Sequence, residues 1–258
     1  LGTEAIIVSI SASANDGYCD RSSSTPNLTA DSVRCEYSAT NGFLRFQLNV
    51  YPGASIGAAL IEVRSYVAAG DDFDPRIYVE DVVNSAVFGA SENLNSRTFW
   101  ATYVTWNAGI WAINTNYDTT DFTALIQRIV DKATFAYGNY VTIKLDEAAS
   151  SKGDDPRRIY SWDYDNTNAT DYRAKLGINY THACVAPAGA WVINATSGNC
   201  TMEQDEEKVG SLLIDAGYFL DINGFSLSFD DASHIYVKGS GSKLKMPSGS
   251  KVGLPNNT

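Results

Sequence analysis

Basic charge is scarce in this chain. Its 258 residues carry 19 Lys and Arg against 30 Asp and Glu, a formal net charge of -11, with a pI near 4.6. Such a balance leaves no basic surface to neutralise phosphates, so nucleic acid and anionic membranes are not expected partners. Histidine is scarcer still, and neither His182 nor His234 has a nucleophile or metal-ligand motif around it. There is no G-x-S-x-G, no HExxH and no phosphate-cradling glycine loop, so no catalytic residue is nominated and an enzyme is the least supported class. Long apolar runs are absent too: nothing approaches the roughly 18 residues of a membrane span, and no basic segment precedes an apolar one at the start. The expected product is a mature secreted protein whose signal has been removed.

Four cysteines occur, in two local pairs, Cys19 with Cys35 and Cys184 with Cys200. Neither pair has CxxC spacing and only His182 lies near any of them, which disfavours zinc and predicts two disulfides. Each would close a loop of about 15 residues, worth roughly 3 kcal/mol in chain entropy, and would imply an oxidising compartment. Six N-x-S/T sequons, at Asn27, Asn168, Asn179, Asn194, Asn199 and Asn256, point to the same extracellular or cell-surface location.

What the chain does have is β-forming composition. Hydrophobic residues make up 44% and charged ones 19%, with 15 Tyr, which suits a folded β-protein and argues against disorder. The length allows two modest domains; the expected boundaries are 1–182 for a β-sandwich and 183–258 for a small solenoid. AIIVSISAS at 5–13 reads as an internal strand, with a donor strand completing a neighbour's sheet as the sharper alternative. Further strands are expected at 43–50, 55–67, 76–82, 97–104, 140–145, 158–164 and 174–180. One helix is expected over 121–133, where Phe122, Leu125, Ile126, Ile129 and Val130 fall on one face.

The segments FLRFQLNVYPGASIGAALIEVRSYV, IYVEDVVNSAVF, TYVTWNAGIW, DFTALIQRIVDKATFAYGNYVTIKL and RRIYSWDYDNTNATDYRAKLGINYT, in that order, resemble the DNRLRE-type β-sandwich module. The resemblance covers about residues 5–181. It implies an all-β, jelly-roll-like sandwich with one short helix, of a kind found in secreted bacterial and archaeal proteins, some of whose relatives bind carbohydrate. The cysteine-closed loop before Phe43 and the acidic GDDFDP insertion depart from that pattern. The opening of the second domain, CVAPAGAWVINATSGNCTM, also resembles the start of short β-helical segments in archaeal surface proteins.

From about Gly210 to Leu254 short strand-like pieces are cut at close intervals by glycine, the pattern of a few solenoid coils. A coil buries its apolar face only against the next one, so a short solenoid has an end that needs a cap or another molecule. No cap is visible before Pro255-Asn256-Asn257-Thr258. The leading expectation is a structural subunit that polymerises into a filament or surface array, with Ile6, Ile7, Val8 and Ile10 of the first strand and Leu244, Met246, Val252 and Leu254 of the solenoid as contact residues. The alternative is a carbohydrate-binding module, for which Trp100, Trp106 and Trp111 would form a stacking platform if they are not core. Asp71, Asp72 and Asp74 form a weak calcium candidate, a solvated acidic turn being the simpler account; no other cofactor is expected.

Overall fold

A computed structural model describes residues 3–22, 25–36, 39–70, 74–146, 156–181, 191–193, 200–202, 206–208, 210–229 and 234–253. Its contacts divide the chain into two units, one of Ala5–Pro52 with Ile56–Tyr180, the other of Thr181–Thr258 with Leu1–Glu4 and Gly53–Ser55. The fold is all-β.

Wholly or for the most part in the first unit are β1 (Thr3–Ser9), β2 (Asp16–Asp20), β3 (Pro26–Asn27), β4 (Ser32–Cys35), β5 (Thr40–Gln47), β6 (Ser55–Arg64), β7 (Arg76–Val79), β8 (Val104–Thr105), β9 (Asn116–Asp118), α1 (Thr123–Val130), β10 (Tyr140–Asp146), β11 (Arg157–Tyr160), α2 (Trp162–Asn168) and β12 (Lys175–Thr181). They form a six-stranded sheet in the order β3-β2-β5-β10-β7-β8, a four-stranded sheet in the order β1-β12-β6-β9 and the pair β11-β4. Side chains of β12 alternate: Leu176, Ile178 and Tyr180 are buried while Lys175, Gly177 and Asn179 point outward. The strand β6 follows suit, with Ile56, Ala59, Ile61 and Val63 inward. This period-2 pattern marks a sheet packed on one face. By contrast β5 is buried along almost its whole length, as a central strand covered on both sides must be; Phe43 packs with Phe88 and Leu94 on one of those sides.

Helix α1 lies within the expected 121–133 segment and buries Leu125, Ile126, Ile129 and Val130. Gln127 Oε1 accepts the Ile56 N–H at 2.7 Å, tying the helix to β6. A second helix, α2, replaces the end of the strand expected at 158–164. Ser161 caps it by accepting the Tyr164 N–H, Asp163 and Asp165 sit in its first turn, and Ala169 closes it in a left-handed conformation, a set of local signals that outweighs strand propensity. The segment 97–104 is not a continuous strand either. The Arg97 side chain turns inward to Glu80 and Glu92 and to the carbonyls of Ala86 and Val87, leaving a single bridge between Glu80 and Phe99.

In the second unit the strands come in threes: β13 (Trp191–Ile193), β14 (Cys200–Thr201) and β15 (Glu206–Lys208); β16 (Leu212–Ile214), β17 (Phe219–Asp221) and β18 (Ser226–Phe229); β19 (Ile235–Val237), β20 (Lys243–Lys245) and β21 (Lys251–Gly253). Three parallel sheets, β13-β16-β19, β14-β17-β20 and β15-β18-β21, align one strand from each group. Among the described residues that is β-helix-like pairing, three parallel sheets of three strands each. Each coil advances 20 to 25 residues, as in Trp191 beside Leu212 and Leu212 beside Ile235, Cys200 beside Leu220 and Leu220 beside Leu244, and Leu227 beside Val252. Stacked equivalents form the apolar ladders of one core, from Trp191 to Phe229.

Candidate functional site

The expected site residues do not converge on one place. Cys19 and Cys35 are buried thiols, so the predicted disulfide between them is not formed. Cys19 lies on β2 with Phe43, Phe88 and Leu94 around it, and burial raises its thiol pKa although the backbone at Leu94 and Asn95 hydrogen-bonds to it. Cys35 lies on β4 in a different sheet, opposite Arg157. Cys200, by contrast, is disulfide-bonded, and its expected partner Cys184 lies outside the described residues. Of the sequons, Asn27, Asn168 and Asn179 are exposed; Asn194, Asn199 and Asn256 lie outside the described residues.

The tryptophan platform is a correction. Trp106 and Trp111 are 2% and 1% exposed, with ring centroids 5.5 Å apart and indole N–H groups spent on the carbonyls of Asp118 and Ala108. Both rings are core, and no sugar can stack on a buried face. Trp100 is half-buried, with the cations of Arg128 and Lys132 about 5 Å from its ring. The better-placed aromatic group is one not anticipated: Tyr66, Tyr160, Tyr164 and Tyr172 form a contiguous cluster, with the Arg64 guanidinium 4.0 Å from the Tyr172 ring. Of the calcium candidates, Asp71 and Asp72 lie outside the described residues and Asp74 is half-buried. Among the described residues no group of three or more His, Cys, Asp or Glu gathers in a way suited to a metal ion, and no helix is long and apolar enough to cross a membrane.

The first strand pairs within the chain at the edge of the four-stranded sheet, as expected of the internal arrangement. Ile10 is fully buried, with its N–H on the Ala174 carbonyl, so it is unavailable for subunit contact. Ile6 and Val8 are half-buried. Ile7 alone turns out, at 76% exposure.

The solenoid end gives the clearest geometry. In the middle coil Leu212, Ile214, Leu220, Ile222 and Leu227 are all 0% exposed. Their partners one coil on belong to the same ladders, yet Val237 is 46% exposed, and Ile235, Leu244 and Val252 are only partly buried. Met246, which continues the Met202 and Ile222 ladder through the Ile222 N–H to Lys245 carbonyl bond, is 51% exposed. Leu254 lies outside the described residues. Among the described residues no strand pairs with the far edges of β19, β20 or β21. At the other end Trp191, Ile193, Cys200 and Met202 of the first coil are buried. Among the described residues the last coil therefore presents an apolar end and unpaired backbone groups, the features by which β-structure recruits more β-structure. Charge singles it out as well: residues 234–253 hold four lysines, Lys238, Lys243, Lys245 and Lys251, and no carboxylate.

No family model and no curated protein sequence matches this chain.

Proposed function

We propose that this protein is an extracellular structural subunit that self-assembles into a filament or surface array, with the last solenoid coil as an assembly surface. The observation that carries the proposal is the contrast along the ladders, buried in the middle coil and open in the last. An apolar coil end costs free energy in water in proportion to its area, about 25 cal/mol per Å², and a further molecule that covers it recovers that cost. The location is supported by the disulfide at Cys200 and by the exposed sequons Asn27, Asn168 and Asn179, both features of secreted chains. The likeness to the DNRLRE-type module belongs to the same proposal, which assigns the chain no catalytic role and no cofactor. Negative-stain electron microscopy of the purified protein tests it: regular filaments or sheets are expected, and dispersed particles at every concentration would refute it.

A second reading, a carbohydrate-binding module, now rests on the tyrosine cluster. Tyr66, Tyr164 and Tyr172 are half-exposed, and rings with one wet edge suit pyranose faces. Titration with soluble polysaccharides would quench tyrosine fluorescence in the wild type and leave a Tyr164→Ala/Tyr172→Ala variant unaffected.

A further inference from the structure

The outer face of the four-stranded sheet carries a shallow groove, about 180 Å³, lined by Ile7, Leu60, Glu62, Asp118, Lys175 and Gly177. Its floor is apolar and its charge is unbalanced. Glu62 on β6 stands directly opposite Asp118 on β9, and like charges in that position repel one another. Lys175 relieves little of this, because its ammonium lies 2.7 Å from Asp171 and 4.0 Å from Glu62. A cation from outside would relieve the pair, and Ile7 at 76% exposure gains most from being covered.

The last coil has the complementary chemistry. Lys243 and Lys245 flank Leu244 on β20, with the Lys245 ammonium 3.4 Å from the Phe219 ring centroid; Met246, the next residue, and Val237 of the same coil are exposed, and no carboxylate lies within 234–253. Two such ends set against each other would bring lysines together, the usual guard against edge-to-edge pairing. Stacking on the first coil is opposed by the burial of its ladder residues, Trp191, Ile193, Cys200 and Met202.

Resting on the assembly reading above, we infer that the last coil of one copy docks on the outer sheet groove of a second copy, with Lys243 and Lys245 meeting Glu62 and Asp118 and the apolar end covering Ile7 and Leu60. The contact is heterologous: each copy offers a coil end and a groove, so it propagates into open chains instead of closing as a symmetric pair. It weakens with salt, since the paired charges lie at the protein surface.

Charge reversal tests it. Lys243→Glu/Lys245→Glu leaves a copy with an acidic end and an acidic groove; Glu62→Lys/Asp118→Lys leaves one with a basic end and a basic groove. In sedimentation velocity each variant alone should need a roughly tenfold higher concentration to assemble than the wild type. An equimolar mixture should regain wild-type assembly, because each end then meets a groove of opposite sign. This rescue cannot come from misfolding. Assembly of the Glu62→Lys/Asp118→Lys variant alone at the wild-type concentration would overturn the groove as the docking surface while leaving self-assembly standing. A mixture that fails to assemble where the wild type does would likewise overturn it. A wild type that stays monomeric at low salt would overturn the docking and the assembly reading together.

Discussion

The middle and last coils of the solenoid use the same residue types in the same register, but they stand in different surroundings. Leu220 and Leu244 are neighbours in one ladder, as are Ile214 and Val237; the first member of each pair is fully buried and the second is not. Burial in a solenoid is a property of stacking, not of the individual coil, so a coil is as stable as the neighbours it has. The sandwich behaves differently. Its strands β5 and β10 are flanked on both sides within the chain, and two of its buried cations are matched inside it: Arg97 meets Glu80 at 3.3 Å and Glu92 at 2.7 Å, and Arg45 bonds the Ser85 carbonyl and Asn15 and lies 3.6 Å from the Tyr140 ring centroid. In the second unit, by contrast, the last described coil leaves Val237 and Met246 about half exposed.

Truncating the two coils in parallel sharpens that contrast most. Leu220→Ala, in the fully packed middle coil, should lower stability by about 2–5 kcal/mol, measured by chemical denaturation with a probe in the solenoid. Met246→Ala, with half of its surface already in water, should change it by less than about 0.5 kcal/mol. Equal losses would mean that the last coil is as well covered as the middle one.

A backbone substitution probes the link between those coils. Gly239 has φ of +83°, and a Cβ there would lie 2.7 Å from the Ala216 Cβ of the coil before. Gly239→Ala should cost about 1–2 kcal/mol from the left-handed conformation alone, with more from the clash, and the melting of the sandwich should be unchanged. A drop in both units would show that they unfold as one.

The sandwich also holds a perturbed carboxylate. Asp16 is 1% exposed; its Oδ2 accepts the Trp162 N–H at 2.8 Å, while its Oδ1 has no hydrogen-bond partner among the described residues. Burial, reinforced by the nearby carboxylates of Asp163 and Asp165 and only partly offset by the Trp162 N–H, pushes its pKa up to about 8. Between the ordinary carboxylate range and about 8 the folded state keeps a proton that the unfolded state has released. Stability therefore falls as pH rises through that window, with a slope approaching about 1.4 kcal/mol per pH unit. Denaturation of the wild type from pH 5 to 8 should show the fall and Asp16→Asn should flatten it; parallel curves would refute the assignment.

How far the sequence disclosed this structure depends on where the information lies. The solenoid was legible because its punctuation is local: glycines at short intervals and paired apolar residues repeat in SLLIDAG, YFLDING and HIYVKGSG. Strand-forming runs likewise disclosed β5, β6, β10 and β12. The strands β2 and β4 were not legible, since DGYCD and SVRC sit in a polar, serine-rich stretch and owe their burial to pairing with β5 and β11. Helix α2 hid inside an aromatic run whose cap, Ser161, reads equally well as a strand residue. For the candidate surface, Met246 and Ile7 could be picked from apolar patterning, but Val237 could not. Its exposure follows from being one coil beyond Ile214, a relation visible only once the register is known. The opposition of Glu62 and Asp118 is of the same kind, 56 residues apart in sequence and adjacent in the sheet. Trp106 and Trp111 show the converse limit, because an aromatic cluster in sequence does not say which side of a sheet its rings occupy.

The most direct test of the central claim is sedimentation velocity on the wild type and on Val237→Asp/Met246→Asp, which places charge on the open coil end while leaving the middle coil intact. The account predicts that the 28.0 kDa wild-type chain forms larger species as its concentration rises, and that the variant remains a folded monomer with an unchanged melting temperature. A wild type that sediments as a monomer throughout, or a variant that assembles as the wild type does, would contradict it.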